Sequence, residues 1–287
     1  MRNYSSRPSW RSLPILSGLA LVLAGGGACG SDPAPEYAPG EQSPAAAAST
    51  DPTPATAPQT PTGAAGESPT WRAGFVVVDG VYNTELMAPW DVLEHTAYQS
   101  GASGGIEMVT ISPDGGEVRT AEGLRLIPDH GFDDAPPVDI LLVPSSRGSR
   151  DLDLENERLV SFVRRRGQEA DLVISLCWGA FVLAESGLLD GHAATTFPSD
   201  YDRLARRYPE VDLRVNVSFV HDGRFLTSQG GVLSYDVAMY VVDLLFGEEV
   251  ATGVGRGLLI PWPRSQAIAP PPFVSDTAFR LPSSKRR

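Results

Sequence analysis

Short apolar runs alternate with amphipathic segments between Trp71 and about Pro263. Runs rich in Val, Ile and Leu are typical of strands buried on both faces of a sheet, whereas apolar residues three or four positions apart are typical of helices. The pattern predicts strands at 73–78, 106–112, 138–143, 171–176, 214–220 and 224–228, and helices at 84–100, 154–168, 178–188 and 234–246. This alternation predicts one α/β domain at 72–263, with a mostly parallel sheet that carries helices on both faces.

The segments on either side of this domain have a different composition. Residues 30–70 contain no Val, Ile, Leu, Phe, Met or Trp. Such a segment cannot bury enough apolar surface to offset the entropy of ordering the chain, so 29–71 is predicted to be a disordered tether. The segment 264–287 is rich in Pro and ends in Lys-Arg-Arg, and it is predicted to be a flexible tail.

The first 28 residues have the pattern of a signal peptide. Arg2, Arg7 and Arg11 precede an apolar run at 13–24, which is shorter than the roughly 20 residues that a spanning helix needs. The sequence Gly-Gly-Ala then leads to Cys29 and is similar to a lipobox, although Gly26 stands where Leu is usual. The pattern predicts removal of 1–28, lipidation of Cys29, and a membrane-anchored protein facing the periplasm or cell exterior. An ordinary secretory signal is the alternative.

Charge and cysteine usage narrow the classes of partner. The formal net charge is −12, and residues 1–28 carry three Arg and no acid, so their removal leaves the chain more acidic still. An acidic chain is repelled by phosphate backbones, so no nucleic-acid partner is expected. The two cysteines and four histidines have no spacing typical of metal ligands, so neither a metal nor a cofactor is expected.

Cys177 is the candidate nucleophile. It lies in the sequence Ser-Leu-Cys-Trp-Gly-Ala at 175–180, where the strand predicted at 171–176 meets a predicted helix. A sharp strand-to-helix turn exposes its central side chain above the carboxyl edge of the sheet, which is the geometry of a nucleophile elbow. The start of the helix would favour the thiolate. A cysteine that merely packs in the core is the alternative.

Five sequence blocks, in order along the domain, resemble the ThiJ/PfpI family, whose members have the class I glutamine amidotransferase-like fold. The blocks lie at 80–92, 132–136, 138–144, 175–196 and 227–236. The resemblance implies a flavodoxin-like sheet, Cys177 as nucleophile and Glu85 as the acid beside it. A protonated Glu85 would donate a hydrogen bond to the sulfur and lower the thiol pKa. Alternatively, Glu85 is only a first-turn glutamate that suits the helix dipole.

The chain departs from the family pattern at several positions. Trp178 stands where hydrolase-like members have His, and Phe197 stands where many relatives have His, so no motif-matched histidine remains as general base. Ser145 and Ser146 replace two glycines whose loop offers an oxyanion-hole amide; the backbone amide survives this change. Trp178 and Phe197 would make the pocket more apolar. We expect His192 at the surface and His221 solvated beside a turn predicted by Asp-Gly at 222–223.

Two functions fit these residues. The first is a hydratase or hydrolase that acts on a small electrophile through Cys177 and Glu85, as in isonitrile hydratase among the relatives, with charge stabilised by the amides of Trp178 and Ser145 or Ser146. The second is a non-catalytic ligand-binding or thiol redox-sensing domain tethered to a membrane. The expected partners are a small molecule and the membrane, and the domain could form a homodimer. Whether it is an enzyme stays open at this point.

Overall fold

The computed structural model of the chain describes residues 71–99, 101–102, 104–263 and 270–280. The described residues therefore exclude the signal peptide predicted at 1–28. They also exclude the tether predicted at 29–71, with Cys29, apart from Trp71. No helix in the described ranges is long and apolar enough to cross a membrane.

Strands and helices alternate along most of the described chain. The strands are β1 (Trp71–Val76), β2 (Ile106–Ser112), β3 (Val118–Arg119), β4 (Arg125–Leu126), β5 (His130–Gly131), β6 (Ile140–Val143), β7 (Leu172–Leu176), β8 (Ala193–Ala194), β9 (Asp212–Leu213), β10 (Phe219–Asp222), β11 (Phe225–Ser228) and β12 (Phe273–Val274). The α-helices are α1 (Asn83–Glu94), α2 (Glu157–Glu169), α3 (Gly179–Glu185), α4 (Tyr201–Arg207), α5 (Leu233–Phe246) and α6 (Glu248–Leu258).

Eight strands form the central sheet, in the order β12-β10-β11-β7-β6-β1-β2-β5. Every neighbouring pair is parallel except the β10–β11 hairpin. The predicted mostly parallel sheet and the hairpin at Asp222-Gly223 are confirmed. The carboxyl ends of β1, β6, β7 and β11 lie at one edge, so the loops that follow them meet there.

The sheet separates two hydrophobic clusters. Successive side chains of a strand point to opposite faces, and in β6 Ile140 and Leu142 join one cluster while Leu141 and Val143 join the other. Buried side chains of α1, α5 and α6 belong to the first cluster, and those of α2, α3 and α4 belong to the second. Helices therefore cover both faces, as the continuous apolar runs predict.

Several predicted helices and strands are longer than the observed ones, among them the helix expected at 178–188, which spans Gly179–Glu185. The helix expected at 84–100 ends as an α-helix at Glu94 and continues as a 3-10 turn at His95–Tyr98. The strand expected at 214–220 begins only at Phe219. These differences do not affect the predicted start of α1 or the predicted β10–β11 hairpin.

The described part of the segment predicted to be a flexible tail, 270–280, makes contacts with the central sheet. β12 pairs in parallel with β10 and extends the central sheet by one strand. The Ser218 N–H donates to the Pro271 carbonyl at 3.3 Å, and the Thr277 hydroxyl donates to Asp222 at 2.9 Å. The physical reason is that the edge of β10 offers backbone groups that a short, Pro-flanked segment can satisfy.

Candidate functional site

Cys177 forms the turn between β7 and α3. Its φ of 54° lies in the left-handed region, which is strained for a residue with a Cβ. Two hydrogen bonds hold this turn: the Cys177 N–H donates to the Ser228 carbonyl at 2.9 Å, and the Thr196 hydroxyl donates to the Cys177 carbonyl at 2.8 Å. The strained turn is the local geometry expected of a nucleophile elbow.

Two glycines make room for this turn. A Cβ on Gly179 would lie 2.0 Å from the Val143 carbonyl oxygen, so the start of α3 packs directly against the end of β6. A Cβ on Gly230, which has a φ of 83°, would lie 2.3 Å from the Cys177 Cβ. Both positions therefore require glycine because backbone segments approach the elbow closely.

Glu85 reaches the elbow from the first turn of α1. Its Oε2 accepts hydrogen bonds from the Ser145 N–H at 3.1 Å and from the Ser145 hydroxyl, and its Oε1 accepts one from the Gly231 N–H at 3.4 Å. The Cys177 thiol is a further hydrogen-bonding partner of this carboxyl group. The structure thus brings Glu85 and Cys177 together, and each is only 5% exposed.

Burial dominates the ionisation of this pair. Burial raises the pKa of Glu85, against the effect of its hydrogen bonds with Ser145, Cys177 and Gly231. Burial is the main cause that raises the pKa of the Cys177 thiol far above its usual range, and the negative charge of Glu85 is the second. Two negative charges in contact in a buried site are strongly unfavourable, so the pair retains at least one proton at neutral pH.

The predicted lowering of the thiol pKa is therefore wrong. The backbone N–H of Trp178 and the Ser145 hydroxyl do lower the pKa of Cys177, but burial outweighs them. The helix that follows the thiol, α3, has only seven residues. A helix end of this length cannot offset the loss of solvation around a thiolate.

The amides of Ser145 and Ser146 do not match the predicted oxyanion role. The Ser145 N–H donates to Glu85, and the Ser146 N–H donates to the Ser149 hydroxyl at 2.8 Å. Both amides thus have protein acceptors in this structure. The N–H of Trp178, a hydrogen-bond donor to the Cys177 sulfur, remains the candidate donor for an anionic intermediate.

Trp178 and Phe197 lie next to each other beside the elbow. Their rings are 6.0 Å apart and meet edge to face, and the Tyr82 ring meets Trp178 in the same way at 5.9 Å. The Trp178 indole N–H donates to Asp200 at 3.0 Å, and the Arg150 guanidinium lies 3.9 Å above its ring. Sequence reasoning missed Asp200 and Arg150, and no motif in the sequence marks them.

The histidines lie apart from the Cys177–Glu85 pair. His221 was expected to be solvated but is fully buried in β10, where its Nδ1 lies 3.0 Å from the Tyr240 hydroxyl; burial lowers its pKa to about 4. His192 is half-buried and contacts Asp222 at 3.2 Å, so it is not a simple surface residue. Within the described ranges, no group of His, Cys, Asp and Glu is arranged to hold a metal ion.

Proteins with similar sequences and structures extend this picture. Isonitrile hydratase of Pseudomonas putida is 29% identical over 214 residues, which cover 74% of this chain and 86% of that protein. Protein dj-1beta of Drosophila melanogaster is 25% identical over 190 residues, which cover 65% of this chain and 96% of that protein. A THiJ/PfpI family protein from Pseudomonas syringae has a similar fold, with a TM-score of 0.60, 21% identity, and coverage of 71% of this chain and 82% of the other.

The match to the family itself spans nearly the whole described domain. The sequence profile of the DJ-1/PfpI family matches residues 71–243, from the first strand of the sheet to the end region of α5. This range contains both members of the buried pair and the elbow, and it is more than half of the chain. The recognition from sequence blocks is confirmed: the chain belongs to the DJ-1/PfpI family.

Proposed function

We propose that the chain is a hydratase or hydrolase that acts on a small, uncharged electrophile through Cys177 and Glu85. The observation that carries the proposal is the direct contact of a buried thiol with a buried carboxyl at a strained elbow. A strongly perturbed titratable pair in such a place is typical of catalytic sites. The 29% identity with isonitrile hydratase supports a reaction in which water adds to a compact electrophile.

The pair can supply both the nucleophile and the proton that this reaction needs. The sulfur forms a bond to the electrophilic carbon, and the proton that the pair holds passes through Glu85 to the substrate atom that gains negative charge. Water then attacks the same carbon and gives a proton to Glu85. The carbon–sulfur bond breaks, and the proton returns to the pair. The net change is addition of one water, or hydrolysis if a second group leaves.

Burial sets the class of substrate. The reacting side chains are 5% exposed, and an ionic group carried into such a site loses its solvation without a compensating partner. An uncharged compound avoids this cost. The same burial keeps the Cys177 thiol mainly protonated before substrate binds. The proton shared by Cys177 and Glu85 is therefore available for transfer.

A turnover assay tests the proposal. Isonitriles, nitriles and other small electrophiles are offered to the purified chain, and consumption is followed with Cys177→Ser, Glu85→Gln and the control Asp91→Asn, an exposed acid on the same helix. We expect kcat/KM to fall by about 10³-fold for Cys177→Ser and by about 10²-fold for Glu85→Gln, because the first removes the nucleophile and the second the proton carrier. Asp91→Asn should have no effect. Equal turnover by Cys177→Ser would disprove the proposal.

A redox-sensing or ligand-binding domain is the second candidate. It is favoured by the protein acceptors that occupy the Ser145 and Ser146 amides, because these amides are then not free to stabilise an anionic intermediate. If no electrophile is consumed while dilute peroxide converts Cys177 stoichiometrically into a stable oxidised form, sensing is the better assignment. If no electrophile is consumed and peroxide does not oxidise Cys177, ligand binding is the better assignment.

We also propose that the protein is exported and anchored to a membrane through lipidated Cys29. The support is the order of a positive segment, an apolar run and small residues before a cysteine. The composition of 30–70 suits a tether that holds the domain away from the bilayer.

A further inference from the structure

Three partly exposed aromatic rings contact one another beside the elbow, and we call them the aromatic rim: Tyr82, Trp178 and Phe197. Each belongs to a segment that carries part of the site. Tyr82 immediately precedes α1, which contributes Glu85; Trp178 follows Cys177; Phe197 follows Thr196, whose hydroxyl bonds the Cys177 carbonyl. Phe197 is 39% exposed, whereas Cys177 is 5% exposed. The rim thus adjoins the site along the chain and is more exposed than the thiol.

The central ring of the rim is held from two sides. Asp200, which is 5% exposed, accepts the indole N–H of Trp178 on Oδ2 at 3.0 Å and the Arg150 guanidinium on Oδ1 at 2.9 Å. The same guanidinium stacks on the Trp178 ring at 3.9 Å. Rotation of the ring would break the hydrogen bond and the stacking together, so the ring has one stable orientation.

Asp200 is ionised in this arrangement. Burial alone would raise its pKa, but hydrogen bonds from Ser199, Arg150 and Trp178 and the charge of Arg150 lower it. The positive charge of Arg150 balances the negative charge of Asp200, so this ion pair adds no net charge next to the aromatic rim. Next to the elbow the chain thus presents aromatic surface and an ion pair without net charge, and such a surface suits uncharged compounds.

We propose that Trp178 is a specificity-determining residue that limits Cys177 to compact, uncharged electrophiles, and that Asp200 is the positioning residue that fixes it with the help of Arg150. The proposal rests on the function proposed above and adds to it the residues that set substrate size. It concerns access to the sulfur, so alkylating probes can measure it without turnover.

The experiment compares two N-alkyl maleimides that differ mainly in bulk. Rate constants for N-methylmaleimide and N-cyclohexylmaleimide are measured on the full chain with Cys29→Ala, so that Cys177 is the single thiol. The ratio of the two rates cancels changes in thiol reactivity. We expect Trp178→Ala to reduce the preference for the smaller reagent by about tenfold, because a wall of the entrance is lost. Asp200→Ala should reduce it by about threefold, with a smaller change for Asp200→Asn, which keeps an acceptor oxygen.

The matched control is Glu185→Gln. Glu185 lies at the far end of α3 and likewise binds an arginine, Arg207, at 3.0 Å and an aromatic side chain, Tyr208. This variant should leave the maleimide ratio unchanged. The pH dependence of Cys177 alkylation should also stay the same in Asp200→Ala, since Asp200 does not touch the reacting pair. Loss of structure in general would alter that profile.

The outcomes separate the two proposals. An altered maleimide ratio without turnover of any electrophile would contradict the enzymatic function but support the role of Trp178. Turnover with an unchanged ratio in Asp200→Ala and Trp178→Ala would overturn the role of Trp178 alone, as would an equal change in Glu185→Gln. If Trp178→Ala does not fold, Trp178→Phe, which lacks the N–H donor, and Asp200→Ala decide the question by the same criterion.

Discussion

The Cys177 thiol and the Glu85 carboxyl determine each other's ionisation. They touch, both are buried, and removal of a proton from one changes the electrostatic cost of ionising the other. Such a pair titrates in two steps that belong to the pair and not to either residue alone. A chemical role for Cys177 therefore depends on which of the two groups holds the proton when substrate is bound.

Replacing Glu85 should lower the apparent pKa of Cys177. After burial, the charge of Glu85 is the largest cause that raises this pKa, so a neutral side chain removes it. Glu85→Gln should lower the pKa more than Glu85→Leu, because the amide can donate a hydrogen bond to the thiolate. The measurement is the pH dependence of iodoacetamide alkylation in the Cys29→Ala chain, with Asp91→Asn as control. A rise of the pKa in both variants would instead mean that a protonated Glu85 stabilises the thiolate.

At the scale of residues, the sequence predicts the reacting pair better than its surroundings. Cys177 and Glu85 stand in recognisable blocks, and the structure places them in contact. Asp200 and Arg150 carry no local signal because their partners are 22 and 50 positions away along the chain. The occupied amides of Ser145 and Ser146 also escape prediction, since no motif marks their acceptors, the Glu85 carboxyl of α1 and the Ser149 hydroxyl of the same loop.

At the scale of elements, the loop after β11 shapes the elbow as much as β7 and α3 do. Gly230 follows β11 and approaches Cys177 so closely that a side chain cannot be placed between them. The adjacent Gly231 N–H donates to Glu85. This loop therefore supports both the strained backbone of the nucleophile and the carboxyl beside it.

Gly230→Ala should destabilise the domain by about 2–4 kcal/mol, because steric overlap with Cys177 adds to backbone strain. Gly191→Ala is the matched control: its φ is also positive, at 74°, but no atom lies within 4 Å of the added Cβ. We expect about 1 kcal/mol for the control, from strain alone. Urea denaturation measures both. Equal losses in the two variants would show that close packing at the elbow contributes nothing to stability.

The elements that were predicted and those that were missed differ in the signal they carry. The buried strands β1, β2, β6 and β7 are rich in apolar residues, and each was located within a few residues. Helix α6 contains Gly253 and Gly255, which weaken helix propensity; they are present because Gln99 and Ile260 approach the helix closely. β12 has only two residues, and its pairing with β10 is a long-range contact that no local pattern reveals.

At the scale of the whole molecule, buried polar groups in the sheet couple stability to pH. His221 lies in β10, between β11 and β12, and is fully buried. Burial lowers its pKa from 6.5 to about 4. The unfolded chain therefore binds a proton more readily than the folded chain between these two values, so the free energy of unfolding must fall as the pH decreases through this window.

His221→Gln should make stability less sensitive to acid. We expect the wild type to lose up to about 2–3 kcal/mol more than the variant between pH 7 and pH 4, because only the wild type must keep a neutral imidazole. Urea denaturation at several pH values measures this difference. His130→Gln, a half-buried histidine in β5, is the control and should follow the wild type. An identical acid dependence of His221→Gln and wild type would mean that His221 titrates alike in both states.

The proposed export and membrane anchoring rest on the first residues of the chain, and Cys29→Ala tests them. Acyl chains contribute roughly 0.8 kcal/mol of membrane affinity for each buried methylene group, so a lipidated Cys29 should hold the wild type in the membrane fraction. The variant should appear in a soluble fraction or remain unprocessed, and it should incorporate no labelled fatty acid. Cys177→Ala removes the only other cysteine and should still fractionate with the membrane, which makes it the matched control. If Cys29→Ala fractionates like the wild type, the anchor proposal is wrong, whereas Cys177 and Glu85 would keep their proposed roles.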